Sequence, residues 1–464
     1  MTKKSSVKEN AYCNHKHQPF IGGPNSKLPF WLESFLSWVF AVSCLSVAMY
    51  HYMKQIAMSM YILSDESSSQ SIALVPLTTH SRKEIKSKTT MERYQQLVNY
   101  LQATKDISEW TDDDLIDLIR SDLLVRRLVS LLMIKHQQDS LDSTFTLNQR
   151  LVQIWPRLLE LRTSSSQNKR HEYEISIIIP AYKEDGKDLL SKLQETHDLI
   201  DSNTNRKKME IIVVHSYCSN LELIQQQGQL EFGNITFLPD QGGGRGPCLN
   251  QGASIAKGRI LTFLHADTRL STNWNLEILK TFSSSTSITT TTACAFSFAI
   301  DTTGLKKRIQ QKITPIKEYY PPGIQAIETT ANLRSHWFHL PYGDQCLSLP
   351  EYVFNYIGGF PHQCLMEDYE LVRLIRHRVA ALKEKKERLA ILDSAAYCHV
   401  RRWQKFGVLY VTYFNSKLVN LYSNGIVTAE ELYELYYGAK PKGSDDDDEK
   451  TPWELELEVA LKTS

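Results

Sequence analysis

Four short apolar runs separated by turns and helical stretches constrain the fold of this chain more than any other feature. Ile175-Ser176-Ile177-Ile178-Ile179 is stopped by Pro180, and a helical stretch follows from about Lys187 to Ile200. Glu210-Ile211-Ile212-Val213-Val214 is a second run, Ile235 to Leu238 a third, and Arg259 to Leu264 a fourth, the last preceded by a helix from about Cys248 to Ala256. β-Branched runs without polar alternation are strands buried on both faces. Strands alternating with helices give an α/β fold, a mostly parallel sheet with helices on both sides. Such sheets bind ligands outside the carboxyl ends of their strands. Beyond Leu270 the pattern loosens. Ser283 to Thr292 reads as a loop, Ala295 to Ile300 and Leu389 to Leu392 as strands, and Met366 to Arg376 as a helix.

The N-terminal part has a different texture. Phe35 to Tyr50 carries no charge, and Phe30 to Leu32 extends it past Glu33. With its flanks the segment reaches the ~20 residues that a spanning helix needs. Its polar surroundings, residues 1–28 and 64–90, favour a membrane helix over a buried one. Lys3, Lys4, Lys8, Lys16 and Lys27 precede it and only Lys54 closely follows. The positive-inside rule then expects a single pass with a cytosolic N-terminus and the C-terminal part in a lumen, Golgi or ER. Asn234-Ile235-Thr236 is compatible with that. The expected order is a polar tail (1–28), a transmembrane helix (29–52), a linker (53–88), a helical stem (89–163), an α/β domain (170–440) and an acidic tail (441–464). Thr89 and Glu92 suit a capping box at the start of the stem. A net charge of +1 gives no basic field, so nucleic acid is not an expected partner. None of the eight cysteines forms a C-x-x-C pair, which argues against a zinc ribbon.

The strand ends hold the candidate chemistry. Pro180-Ala181-Tyr182-Lys183-Glu184 ends the first strand; Glu184 can accept a hydrogen bond from a ribose or base, or complement a helix dipole. Gly242-Gly243-Gly244-Arg245-Gly246 is either a pyrophosphate-approaching loop with a forked donor or a flexible connection. His265-Ala266-Asp267-Thr268 follows the most apolar strand, where a carboxylate can hold a hard divalent cation, Mg²⁺ or Mn²⁺, or cap a helix. Glu367 and Asp368 open a helix, as dipole complements or with a general base facing a cleft. Arg402 suits a phosphate; Trp403 suits a sugar face or a core.

The order of these segments is more informative than any one of them. PAYKED, GRGPCLNQGA, ILTFLHADTRL, ANLRS, LPYGDQ, IGGFPHQCLMEDYEL and RRWQKFGVL resemble family 2 glycosyltransferases of the GT-A fold, and most closely the bacterial rSAM/selenodomain-associated transferase 2 group. The resemblance implies a Rossmann-type nucleotide-diphospho-sugar transferase domain. Asp267 would bind metal and donor diphosphate, with His265 in the place of the usual first acid. Asp368 would be the general base of an inverting enzyme, in an E-D pair with Glu367. Pro180, Glu184, His215, Arg245, Asn250 and Arg402 would line the donor. Tyr342, Asp344, Gln345 and Trp403 would lie near donor or acceptor, and His399 is a further metal candidate. His215 stands where the family places an Asp that contacts the base. The expected partners are a nucleotide-sugar, an acceptor hydroxyl on a glycan, lipid or protein, and a membrane. Two rivals stay open: a catalytically silent nucleotide- or glycan-binding protein of the same fold, and a sugar nucleotidyltransferase.

Overall fold

The computed structural model describes residues 28–64, 171–182, 186–198, 209–216, 234–242, 244–283, 290–307, 319–361, 363–381, 387–423, 427 and 429–437. The polar tail, most of the expected linker, the stem, the acidic tail, Lys183, Glu184 and Gly243 lie outside them. The apolar segment is one helix, α1 (Phe30–Ser64). It continues twelve residues past the expected end at residue 52, into the expected linker.

Among the described residues an eight-stranded sheet carries the rest, its strands lying in the spatial order Ile235–Pro239, Met209–Ser216, Tyr173–Tyr182, Gly258–Phe263, Leu347–Pro350, Thr290–Asp301, Glu387–His399 and Thr268–Leu270. Its first half joins β1 (Tyr173–Tyr182), β2 (Met209–Ser216), β3 (Ile235–Pro239) and β4 (Gly258–Phe263), all parallel. The helices α2 (Gly186–Asp198) and α3 (Arg245–Ile255) connect them. Ile175, Ile177 and Ile179 of β1 pack with Leu189 and Leu193 of α2, whereas Ile178 joins Ile212, Val214 and Leu249 on the other face. Both faces are thus covered, which is why these strands read as unbroken apolar runs. At Gly252 a Cβ would lie 2.5 Å from Ile178 Cγ2, so α3 seats on the sheet only through a glycine. From β1 the chain builds outward to β2 and β3, then returns to lay β4 on the opposite side of β1. That reversal opens the crevice at the carboxyl ends of β1 and β4.

The second half is less regular. A three-residue β5 (Thr268–Leu270) and the helix α4 (Trp274–Ser283) follow β4. β6 (Thr290–Asp301) starts inside the Ser/Thr stretch expected to be a loop, where threonine's branched Cβ suits a strand. After the short β7 (Lys306–Lys307) and β8 (Tyr319–Tyr320) comes α5 (Ile324–Phe338). β9 (Leu347–Pro350) runs antiparallel between β4 and β6 and leads into α6 (Glu351–Tyr356). α7 (Glu367–Ala381) is followed by β10 (Glu387–His399), parallel to β6 and much longer than the expected Leu389–Leu392. A register shift between Leu392 and Ala395 resets its inside/outside alternation, which hides its second half from a periodicity reading. Three helices, α8 (Arg401–Phe406), α9 (Val408–Ser423) and α10 (Ala429–Tyr437), close the domain.

Candidate active site

β5 pairs antiparallel with β10, Thr268 opposite Cys398, so the β4–β5 turn is pinned beside the end of β10. The turn presents His265 and Asp267. Asp267 Oδ2 accepts a 3.1 Å hydrogen bond from Arg401 Nη2, and the two side chains are 42% and 54% exposed. Burial works against ionisation of Asp267, but the nearby His265, Arg401 and Lys192 outweigh it and hold the carboxyl below its ordinary value. His265 is pushed down to about 4 by burial and by Arg245, so its imidazole is neutral at physiological pH. His399 is lowered by burial and by Arg401, and its Nδ1 accepts the Arg401 backbone N–H at 3.0 Å.

Asp368 lies at the start of α7. Its Oδ2 accepts the Gly343 N–H and its Oδ1 the Tyr369 N–H, both at 2.7 Å. A Cβ on Gly343 would lie 2.9 Å from Asp368 Oδ2 and 3.0 Å from His265 Nε2. The strand-end turn and the helix start therefore converge on one backbone position, which has room for hydrogen only. Met366, just before α7, has φ 65°, a sparsely populated conformation for a residue with a side chain.

The turn bearing Gly343 is held from below by Gln345. That side chain is fully buried. Its Nε2 donates to the Phe296 carbonyl at 2.9 Å, and its Oε1 accepts from Ser335 Oγ at 2.8 Å and from the Tyr342 N–H at 3.2 Å. Arg334 lies over the Tyr342 ring, its Cζ 3.5 Å from the centroid, and donates to the Leu340 carbonyl. These contacts make Gln345 and Tyr342 supports of the turn and point Asp344 into the site. Asp344 Oδ1 is buried, and among the described residues it has no hydrogen-bond partner. Burial pushes this carboxyl up to about 6; Asp368 and Asp267 add to the rise, while Arg334 and Arg245 oppose it.

Arg245 and Glu367 form an ion pair through Nε and Oε1, with the Glu367 side chain almost fully buried. Burial raises the Glu367 pKa against the pull of Arg245, and its Oε2 has no hydrogen-bond partner among the described residues. Glu367 thus holds Arg245 in place beside Asp368. The glycines around Arg245 serve close packing. A Cβ at Gly246 would meet the Pro361 carbonyl at 2.4 Å, and one at Gly244 the Cys364 Cα at 2.6 Å. Asn250 clamps the Gly358-Gly359-Phe360-Pro361 turn, exchanging hydrogen bonds with the Phe360 carbonyl and N–H. Pro180 pairs with Val214 in the sheet, and His215 is the penultimate residue of β2, its carbonyl accepting the Asp240 N–H at 2.8 Å. Burial lowers the His215 pKa, against Asp240.

The adjacent arginines part company. Arg401 reaches Asp267, whereas Arg402 lies over the Tyr436 ring, 4.1 Å from its centroid. Trp403 packs edge-on against Phe298 beside the buried Ile324 and Val408. Arg401, Arg334 and Gly343 are the site residues that sequence reasoning missed. The doubled arginine at 401–402 was the only signal for the first.

Among the described residues no three His, Cys, Asp or Glu side chains group as metal ligands. Asp267, His265 and His399 therefore make no cage of their own. One half-exposed carboxylate at a strand end suits a hard cation that arrives with phosphate oxygens, since Mg²⁺-type sites take one or two carboxylates and complete the shell with substrate and water. The site as a whole sets four carboxyls, Asp267, Asp344, Glu367 and Asp368, among three arginines, Arg245, Arg334 and Arg401.

Residues 176–336 match the model of Glycosyl transferase family 2. The match takes in His215, Arg245, Asn250, His265 and Asp267 and ends before Asp344, Asp368 and Arg401. No curated protein matches the chain. Among solved structures, S. aureus TarS 1–349 in complex with UDP-GlcNAc is 12% identical, with a TM-score of 0.34, covering 57% of this chain and 72% of that one. The mannosyltransferase PcManGT from Pyrobaculum calidifontis, in complex with GDP-Man and Mn²⁺, is 14% identical with a TM-score of 0.35, covering 72% and 81%. Glucosyl-3-phosphoglycerate synthase from Mycobacterium tuberculosis, with Mn²⁺, UDP and glucosyl-3-phosphoglycerate, is 14% identical with a TM-score of 0.31, covering 63% and 88%.

Proposed function

We propose that this chain, whose residues 176–336 match the model of Glycosyl transferase family 2, moves a sugar from a nucleotide-sugar donor to an acceptor hydroxyl with inversion, attached to a membrane through α1. The observation that carries the reading is the convergence of Asp368 and the His265–Asp267 turn on Gly343, at the carboxyl end of β4. A donor whose diphosphate lies against Asp267, Arg401 and Arg245 presents its anomeric carbon toward Asp368.

Asp368 takes the proton of the acceptor hydroxyl as its oxygen bonds to the anomeric carbon. The bond from that carbon to the diphosphate breaks, and a nucleoside diphosphate leaves. A positioned base of this kind contributes about 10²–10⁴-fold. Arg245, braced by Glu367, and Arg401 balance charge on the leaving group. A divalent cation, Mg²⁺ or Mn²⁺, would be held by Asp267 and would stabilise the leaving diphosphate further. The closer likeness to the rSAM/selenodomain-associated transferase 2 group belongs to this reading and adds no substrate.

The test uses the full chain in detergent with a panel of nucleotide-sugars, with and without Mn²⁺, beside Asp267→Ala and Asp368→Asn. Release of a nucleoside diphosphate from at least one donor, lost in Asp368→Asn with donor binding kept, is the expected result. Binding without turnover favours a silent binding protein, and pyrophosphate release from a sugar phosphate and NTP a nucleotidyltransferase. Neither binding nor release from any donor overturns the proposal.

A further inference from the structure

α1 does not stand away from the catalytic domain. It packs lengthwise against α5 and α9. Glu33, Ser37, Ala41 and His51 are buried, at the three-to-four-residue spacing of one helix face. Leu45, Ala48 and Tyr52 continue that face onto the core of the domain. Near one end, Gly323 approaches so closely that a Cβ there would lie 2.2 Å from Ser37 Cβ. Farther along, Cys44 Sγ lies 4.0 Å from the Thr412 carbonyl, and His51 Nε2 is 3.0 Å from Asn420 Oδ1. Tyr52 packs on Phe338, 5.4 Å between centroids, and under the Arg376 guanidinium. From Ser37 to His51 the docked face runs about 21 Å at 1.5 Å per residue.

The pattern of this helix is inverted. A helix on the surface of a water-soluble domain turns large apolar residues inward and polar ones outward. α1 turns Glu33, Ser37 and His51 inward and leaves Trp31, Phe35, Val39, Val42, Met49 and Met53 at least half exposed. Between Ser34 and Met53 there is no Asp, Glu, Lys or Arg. The patch continues onto the domain through Tyr413 of α9, which meets Phe40 edge-on. Small and polar residues at a helix–helix contact, with large apolar residues outside, is the arrangement used where the surrounding medium is hydrocarbon. Phe30–Met53 is also long and apolar enough to match a bilayer core. Water does not suit the outer face, and an uncharged row of this length lacks the polar rim of a protein interface.

We propose that α1 lies lengthwise in the membrane interface, with its outer face in lipid and its inner face on α5 and α9, so that the catalytic domain rests directly on the bilayer. This deepens the membrane attachment proposed above and takes the place of the spanning helix expected from length and the lysine asymmetry; the expected stem lies outside the described residues. A helix that crosses the bilayer with the domain held off on a stem must be free of α5 and α9 over the bilayer thickness. The contacts from Ser37 to His51 occupy most of that length.

The test places a photocrosslinking benzoylphenylalanine at position 39, 42, 41 or 48 of the full chain, reconstituted in vesicles of radiolabelled phosphatidylcholine. Thermal unfolding confirms that each labelled chain is folded, and 39 and 42 duplicate one another. The expected result is lipid adducts from 39 and 42 and adducts to α5 or α9 from 41 and 48. Lipid adducts from 41 and 48 mean a free spanning helix and overturn the proposal. Protein adducts, or none, from 39 and 42 mean that the face is covered by polypeptide or open to water and also overturn it. Nucleoside diphosphate release is measured on the same vesicles, so loss of the transferase reading is seen separately from loss of this one.

Discussion

Asp344→Asn isolates the raised carboxyl titration of the site. The Asp344 carboxyl is pushed from 3.8 to about 6, chiefly by burial. A raised carboxyl pKa means that the folded chain holds the proton after the unfolded chain has released it. Stability from this group is fully present below pH 3.8 and is lost as pH rises to about 6. Over the full shift the loss is on the order of 3 kcal/mol, at 1.36 kcal/mol per pKa unit. Between pH 4.5 and 7.5, about 2 kcal/mol of it falls inside the measured window. Asparagine keeps the shape and does not ionise. The stability of Asp344→Asn minus that of the wild type should therefore rise by roughly 2 kcal/mol from pH 4.5 to 7.5. The difference cancels the titration of Asp267 and other acids common to both chains. Urea unfolding of the full chain in mild detergent, followed by tryptophan fluorescence, reads it; Trp274 is fully buried. A difference that is flat with pH, or that falls, would refute a buried, proton-holding Asp344.

The other predictions concern donor binding and turnover. Asp368→Asn should lower turnover about 10²–10⁴-fold with little change in donor affinity by calorimetry; equal losses in both would remove the base role. Arg401→Ala should weaken nucleoside diphosphate binding roughly 10-fold, an ion-assisted hydrogen bond being worth about 1.5 kcal/mol, while Arg402→Ala changes it less; the reverse ranking would return the phosphate role to Arg402. Because the Asp267–Arg401 pair is half exposed, breaking it should change the unfolding free energy by no more than about 1 kcal/mol. Gly343→Ala should abolish most turnover without unfolding the chain, since its methyl meets Asp368 Oδ2 at 2.9 Å and His265 Nε2 at 3.0 Å; near-wild-type activity would show that this convergence is not part of the reaction.

What was legible in the sequence divides along physical lines. The parallel half of the sheet shows itself because strands covered on both faces need continuous apolar runs, as Ile175–Ile179 and Ile211–Val214 have. β5 and β9 are three and four residues long, too short for any period, yet β5 brings Asp267 beside His399 and Arg401. Arg401 and Arg402 are chemically the same in a sequence. Successive residues on a helix point about 100° apart, and only the seating of α8 decides which guanidinium reaches Asp267 and which reaches Tyr436. Gln345 looks like a ligand-binding amide in LPYGDQ, but its hydrogen bonds are spent inside the protein, which only the burial of Phe296 and Ser335 around it reveals. α1 is the instructive case. Averaged hydropathy reports how apolar the helix is and discards where its few polar residues stand. Glu33, Ser37, Ala41, Cys44, Ala48 and His51 already lie at helical spacing in the sequence. That spacing, which reads as scattered interruptions of an apolar run, is the docking face toward α5 and α9.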